Sequence, residues 1–280
     1  MPIDTGSFTG VPFPPDVQTQ IINLLIDSAP LAASLTRQPT DRSAIAWPTA
    51  KPTGFAWLRE LQPFPTVDPG DDAYVVATCK IGGIIDLSNE SISDTSINLT
   101  GSFTTILRDS LSRDLDLGLL HGEGPPEPVG IIGVAAEAAG ADLLEAVTLA
   151  RGEIGDAGGG ADTIAWSATG LAQADATRDD NGQLVYPGGF AAALGLTRVV
   201  VPQLDTPLVF DKSRCYLVVR NDVAVDMSRD WHFHLDATSV RVKGRFAAAI
   251  PDPAKAIRKL AIGGAGPVTP AKARPAAKTA

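Results

Sequence analysis

The chain has 280 residues, a formal charge of −9, and 44% hydrophobic against 20% charged residues. That is enough apolar material for the core of one or two soluble domains. The acidic balance repels polyanions, which excludes a nucleic-acid-binding domain and an anionic-membrane anchor as the main role. Two cysteines, Cys79 and Cys215, lie far apart without a CxxC partner, so a disulfide scaffold is excluded and both read as small core residues of a reducing compartment.

Residues 1–16 hold Pro2, Pro12, Pro14 and Pro15 with Gly6 and Gly10, which predicts an extended arm. Asp16 caps a short predicted helix with Val17, Ile21, Leu24 and Leu25 on one face, stopped by Pro30. No Lys or Arg precedes Arg37, so the charged start of a signal peptide is missing, and no apolar run approaches a membrane span. Residues 47–74 set Pro48, Pro52, Pro63, Pro65 and Pro69 around Phe55, Trp57, Leu58 and Leu61. Aromatic side chains on so long an insertion need something to pack on, and a hairpin lying on a neighbouring molecule provides it. A surface loop folded back on its own domain is the alternative.

Residues 74–88 are β-branched strand material with a break expected at Gly82-Gly83. Phe103, Leu107, Leu111, Leu115 and Leu119 then recur every four residues beside Ile106. Arg108, Asp109, Arg113, Asp114 and Asp116 are expected on the opposite, solvated face of this long helix, which Gly122 and Gly124 end. A second helix is predicted over about Glu137–Arg151, with Leu143, Leu144, Val147 and Leu149 apolar. Turns follow at residues 155–160 and 179–183, and strands around Val199–Val201 and Cys215–Arg220. The last strands, Val223–Met227 and His234–Phe246, are expected to return to the first half of the chain. Helices and strands alternate only loosely, which predicts an α+β fold rather than a doubly wound sheet. Residues 263–280, GGAGPVTPAKARPAAKTA, form a basic tail expected to be disordered.

The chemical motifs are sparse. His232 and His234 are spaced to share one face of a strand, where Asp230 or Asp236 could join a metal, while Trp231, Phe233 and Leu235 would face apolar packing. No third imidazole or thiol stands nearby, and a hydrogen-bonded or solvent-facing histidine pair fits the pattern better. The Gly155–Gly160 run has no P-loop lysine, and His121–Gly124 ends a helix where an anion site needs a helix start. No Gly-x-Ser-x-Gly elbow is present. No catalytic site, cofactor or metal is therefore expected, and the chain is read as a non-enzyme.

Taken in order, these features resemble the major capsid proteins of tailed phages with the Hong Kong 97 fold, over about Asp16–Leu260. The arm and short helix come first, residues 47–74 match the extended E-loop, and Ile84–Asp94 matches a strand segment ending in Ser-x-Glu and Asp. Leu99–Leu120 is similar to the spine helix, and LLHGEG to PVGI (119–131) to the entry into the axial domain. Residues 163–182, 194–201 and 210–246 resemble the remaining axial and peripheral blocks. The resemblance implies an N-terminal arm and helix (1–30), a peripheral domain (31–46, 75–124 and 222–262), the E-loop (47–74), an axial domain (125–221) and the tail (263–280).

It also implies self-assembly into an icosahedral shell of hexamers and pentamers around phage double-stranded DNA, inside a host bacterial cytoplasm. The contacts would be made by Phe8, Val11 and Phe13 of the arm, and by Trp47, Lys51, Phe55, Trp57, Arg59, Glu60 and Phe64 of the E-loop. Arg108, Asp109, Arg113, Asp114 and Asp116 of the spine helix and Arg241, Lys243 and Arg245 of a peripheral strand complete the expected surfaces. Some relatives link an E-loop lysine to an asparagine with a glutamate's help. Lys51 supplies the first group, but the other positions fall near Asp236 and Lys243, so a non-covalent shell is expected. Met1-Pro2 begins almost at the arm, which implies a separate scaffolding protein and an unprocessed N-terminus. A portal and a decoration protein are further implied partners. An encapsulin compartment is the alternative on the same fold, and a small hydrolase with a proline-rich lid the alternative from another class.

Overall fold

A computed structural model describes residues 28–49, 56–66, 72–89, 99–179, 181–220 and 224–262. The arm residues Phe8, Val11 and Phe13, the predicted helix after Asp16, Lys51, Phe55 and the tail lie outside the described residues. Pro30 opens the first described helix, α1 (Pro30–Ser34), after Ala29 has left the helical conformation at φ −96° and ψ 101°. A proline at the first helical position loses no hydrogen bond and arrives with its φ already set. Strand β1 (Thr36–Thr40) follows, then β2 (Ala44–Pro48) and β3 (Ala73–Ala77), the antiparallel base of the long hairpin.

Strand β4 (Cys79–Ser88) runs without interruption through Gly82-Gly83, where a break was expected. It pairs antiparallel with β11 (Ala237–Ala249), and a Cβ on Gly82 would stand 2.5 Å from the Val242 carbonyl oxygen. The glycine thus permits a close crossing of two strands rather than ending one. The break falls at Thr78, where the chain passes from the two-stranded hairpin to the larger sheet.

The spine helix α2 (Leu99–His121) matches its predicted limits closely. Beyond it, Ala136–Gly140 is a strand, β5, after a single helical turn α3 (Ile131–Val134), and helix α4 spans Leu143–Asp156. Alanine-rich AAEAAG has helical propensity, but its parallel pairing with β12 (Ile257–Ile262) overrides that preference. The helix start is fixed by Asp142, which accepts from the Glu145 amide at 2.8 Å, while the Glu145 carboxylate accepts from Ala141 N at 2.8 Å. Val147, Ala146, Ala150 and Ile154 make the buried face, whereas Leu144 and Leu149 turn outward.

The second half adds β6 (Thr163–Trp166), α5 (Ala168–Asp175), α6 (Phe190–Ala193), β7 (Thr197–Val200) and β8 (Leu208–Phe210). Then come β9 (Tyr216–Arg220), β10 (Ala224–His232), β11, the turn α7 (Pro253–Ala256) and β12. One sheet runs β1-β9-β11-β10 with β4 also on β11, and the other runs β5-β12-β8-β6-β7. The mixture of parallel and antiparallel pairs with helices packed on them is the α+β fold expected. The sheets divide the chain differently from the implied boundaries. β9, expected on the axial side, pairs with β1 and β11, and β12, expected with the returning strands, lies between β5 and β8.

One core cluster joins the sheets, with Phe210 from β8 facing the same interior as Phe246 from β11, Leu119 and Leu120 from α2, and Leu31 from α1. A second fills the space between α4 and its sheet around Val147, Ile154, Ile164 and Phe190. Cys215 is buried and its thiol pushed up to about 12, first by burial and then by the charges of Asp211 and Asp162; Cys79 is only half-buried.

Candidate self-association surfaces

The hairpin rising from β2 and β3 carries the most exposed large apolar side chains of the described residues. Trp57, Leu61 and Phe64 stand 103%, 100% and 89% exposed. A tight turn shapes its tip. Gln62 N donates to the Arg59 carbonyl at 3.1 Å, Arg59 N donates to the Gln62 side chain at 2.9 Å, and Leu61 adopts φ 67°. A bulky residue other than glycine in the left-handed region is costly. Arg59 and Glu60 are exposed beside it. Trp47 is a correction, because it does not project. Its ring stacks on Tyr216 at 5.7 Å and meets Tyr74 at 6.3 Å, fastening the hairpin base to β9. A tryptophan this close to the sheet buries more area on its own subunit than a projecting position would offer.

On α2, Asp109, Arg113 and Asp114 are exposed as expected, and the side chain of Arg108 lies outside the described residues. Asp116 is the second correction: it is 1% exposed. Its Oδ2 accepts from Leu31 N at 3.1 Å and its Oδ1 from Ala32 N at 3.0 Å, satisfying the free amides at the start of α1. A helical wheel continued to the end of α2 could have found it. Asp116 stands three and four positions before the buried Leu119 and Leu120, on their face of the helix.

The peripheral strand places Arg241 and Lys243 on one face of β11. Both converge on Asp226 of β10, Arg241 at 2.7 Å and Lys243 at 3.3 Å from Oδ2. The Arg241 hydrogen bond, helped by Lys243 and opposed by burial, holds the Asp226 carboxyl below the ordinary range. Arg245 lies further along the strand, in register with Lys80 of β4.

The histidine pair does not share a strand face. His232 ends β10, while His234 lies in the single 3-10 turn Phe233–Leu235 that leads to β11. Their rings are 5.9 Å apart, His232 Nε2 is 3.2 Å from Asp86 Oδ2, and His232 Nδ1 is buried without a partner among the described residues. Among those residues no group of three His, Cys, Asp or Glu side chains is placed to hold a metal ion. The expectation for the apolar set is corrected as well, since Trp231 and Leu235 are 70% and 62% exposed. Trp231 and the exposed Ile84 of β4 line a shallow cavity together with Asp226, Ser228, Ser239 and Arg241. Strict alternation points these residues inward, but the register of β10 on β11 shifts between Ser228 and His232, and the 3-10 turn then resets the period at Leu235.

Among the described residues no helix is long and apolar enough to cross a membrane. The arrangement is that of a folded body with apolar side chains displayed on a projecting hairpin and, separately, on a sheet.

The comparisons with known proteins agree with this geometry. The phage capsid family matches residues 9–262. A solved structure from Mycobacterium phage Adephagia shares 18% identity at a TM-score of 0.70, covering 85% of this chain and 91% of its own. One from Mycobacterium phage Bobi shares 15% at 0.68, covering 95% and 96%. The capsid of a native GTA particle shares 12% at 0.66, covering 94% and 95%. No curated protein matches in sequence. The fold expected from the resemblance to tailed-phage major capsid proteins is the fold these structures share, and the family match favours a capsid protein over an encapsulin compartment.

Proposed function

The chain belongs to the phage capsid family, and from that premise we propose that copies of it assemble through hexamers and pentamers into an icosahedral shell enclosing phage double-stranded DNA. The observation that supports this reading most is the hairpin tip, where Trp57, Leu61 and Phe64 touch almost nothing of their own subunit. Several side chains of that size exposed together on one short segment mark a surface that another molecule covers. The unit so described is a shell protein whose fold is completed by its neighbours, and no reaction is assigned to it.

The finer reading assigns residues 47–74 the part of an E-loop draped over a sister subunit, with Arg59 and Glu60 at its tip and Arg241 and Lys243 on the receiving side's peripheral sheet. Spine-helix Asp109, Arg113 and Asp114 face solvent on the same subunit. Assembly in the host cytoplasm with a separate scaffolding protein, a portal and a decoration protein belongs to the same proposal. Many individually weak contacts suit it, because strong ones would lock misplaced subunits before closure. The acidic body keeps packed DNA from adhering tightly to the inner wall.

The purified full-length protein is expected to form closed, regular particles visible by electron microscopy. A product that remains a single ordered monomer at high concentration would overturn the assignment. The shell is also expected to be non-covalent. Asp236 is engaged by the Asn89 amide at 2.7 Å and Lys243 by Asp226, and neither offers an amide or a general base for an isopeptide bond. Boiled particles should run as one band of single-subunit mass, and a ladder of linked subunits on a denaturing gel would refute this.

A further inference from the structure

We propose that α1 is a proton-sensitive latch: it docks on the spine helix through the buried Asp116 carboxylate, and the proton on that carboxylate sets how firmly it is held. Helix α1 packs against α2 on one side and against β7 on another, so its docking ties the spine helix to the edge of the second sheet. It is a single turn, too short to be stable alone. Its place depends on burial of Leu31 and Ala32 and on the two amide bonds to Asp116.

The surroundings of the carboxylate are apolar. Helices α1 and α3, which pack on α2, bring no titratable side chain: their sequences are PLAAS and IIGV. On α2 itself the residues one turn away are Ser112, Arg113, Leu119 and Leu120, of which Arg113 is exposed. Beyond them, His121 ends the helix with Nε2 3.5 Å from the Gln203 carbonyl oxygen. On β7 the cation is Arg198, already paired with Asp175 at 2.8 Å. The Asp116 carboxylate therefore has two neutral amides for partners and no cation among the described residues.

Burial is the largest influence on this group and pushes its pKa up from 3.8 to about 6, against the downward pull of the Leu31 and Ala32 amides. An acid whose value is raised in the docked form binds its proton more tightly there than in an opened form, where water reaches the carboxylate. Docking is accordingly strongest below 3.8 and weakens as the pH rises through about 6. Near neutrality α1 is held by a desolvated anion, and mild acid tightens it.

Hydrogen exchange of the Leu31 and Ala32 amides tests this on the full-length subunit, with rates corrected for the intrinsic pH dependence of exchange. Their protection is expected to fall about tenfold between pH 5 and pH 8 by linkage, while the amides of α4 keep theirs. Asp116→Asn retains an acceptor without a titration, and its α1 protection should be flat over the same interval. Flat protection at Leu31 and Ala32 in the unaltered protein would overturn the latch. So would a fall of equal size in α4, which would mean that the whole subunit opens. The measurement on the unaltered chain stands even if the variant fails to fold.

Discussion

Replacing Trp57 and Phe64 together by serine is expected to abolish shell formation while leaving the subunit folded. Neither side chain is covered by its own chain, so the change removes almost no intramolecular burial, and stability should move by no more than about 0.5 kcal/mol. The effect on association is of another order. Aromatic anchors at the centre of an interface cost about 2–4 kcal/mol each when truncated, and every 1.4 kcal/mol is about tenfold in affinity. A closed shell repeats that loss at every equivalent contact, which raises the concentration needed for assembly beyond reach. Sedimentation velocity should show soluble subunits or small oligomers in place of particles, with a thermal transition close to that of the unaltered protein. Full-size shells at normal yield would mean that the hairpin tip is not an adhesive surface.

Phe210→Ala is expected to act in the opposite sense, destabilising the subunit before any contact is made. Phe210 is 1% exposed at the end of β8, which lies between β12 and β6, and its ring enters the cluster that both sheets share. Cutting a buried phenylalanine to alanine costs about 3–5 kcal/mol in lost transfer energy and residual cavity. Small domains hold only about 5–15 kcal/mol in all. The urea midpoint should drop strongly with the slope of the transition unchanged, because the surface exposed on unfolding is nearly the same. A midpoint equal to that of the unaltered protein would show that the shared core does not hold the two sheets together. The two variants separate folding from assembly: one removes contacts absent from the lone subunit, the other contacts without which no subunit forms.

Local rules made much of this legible from the residues. The spine helix announced itself through leucines every four positions, and its end through Gly122, whose amide closes back on the Gly118 carbonyl at 3.0 Å. The turn at residues 179–183 is where Gly182, at φ 77°, lets the chain reverse. Local rules failed where a distant strand decided the outcome. Ala136–Gly140 reads as helix until β12 pairs with it, and Gly82-Gly83 reads as a break until β11 crosses close by. The candidate surfaces divide the same way. The aromatic content of the hairpin was plain, but Trp47 was assigned outward with the rest because only the position of Tyr216, far along the chain, reveals what it stacks on.

Composition, proline placement and hydrophobic period were sufficient to establish the α+β class, the long helix, the projecting hairpin and the absence of a recognisable catalytic motif, since each rests on residues near one another in the chain. Strand pairing was needed to carry β9 and β12 to their places, an irregular strand end and turn to bring Trp231 and Leu235 toward solvent, and helix docking to bury Asp116 beneath α1. Those outcomes depend on contacts between residues far apart in the chain, as between Leu31 and Asp116 or between Thr36 of β1 and Tyr216 of β9. Local propensity, worth at most about 1 kcal/mol per ordinary residue, yields there to the larger energies of burial and hydrogen bonding.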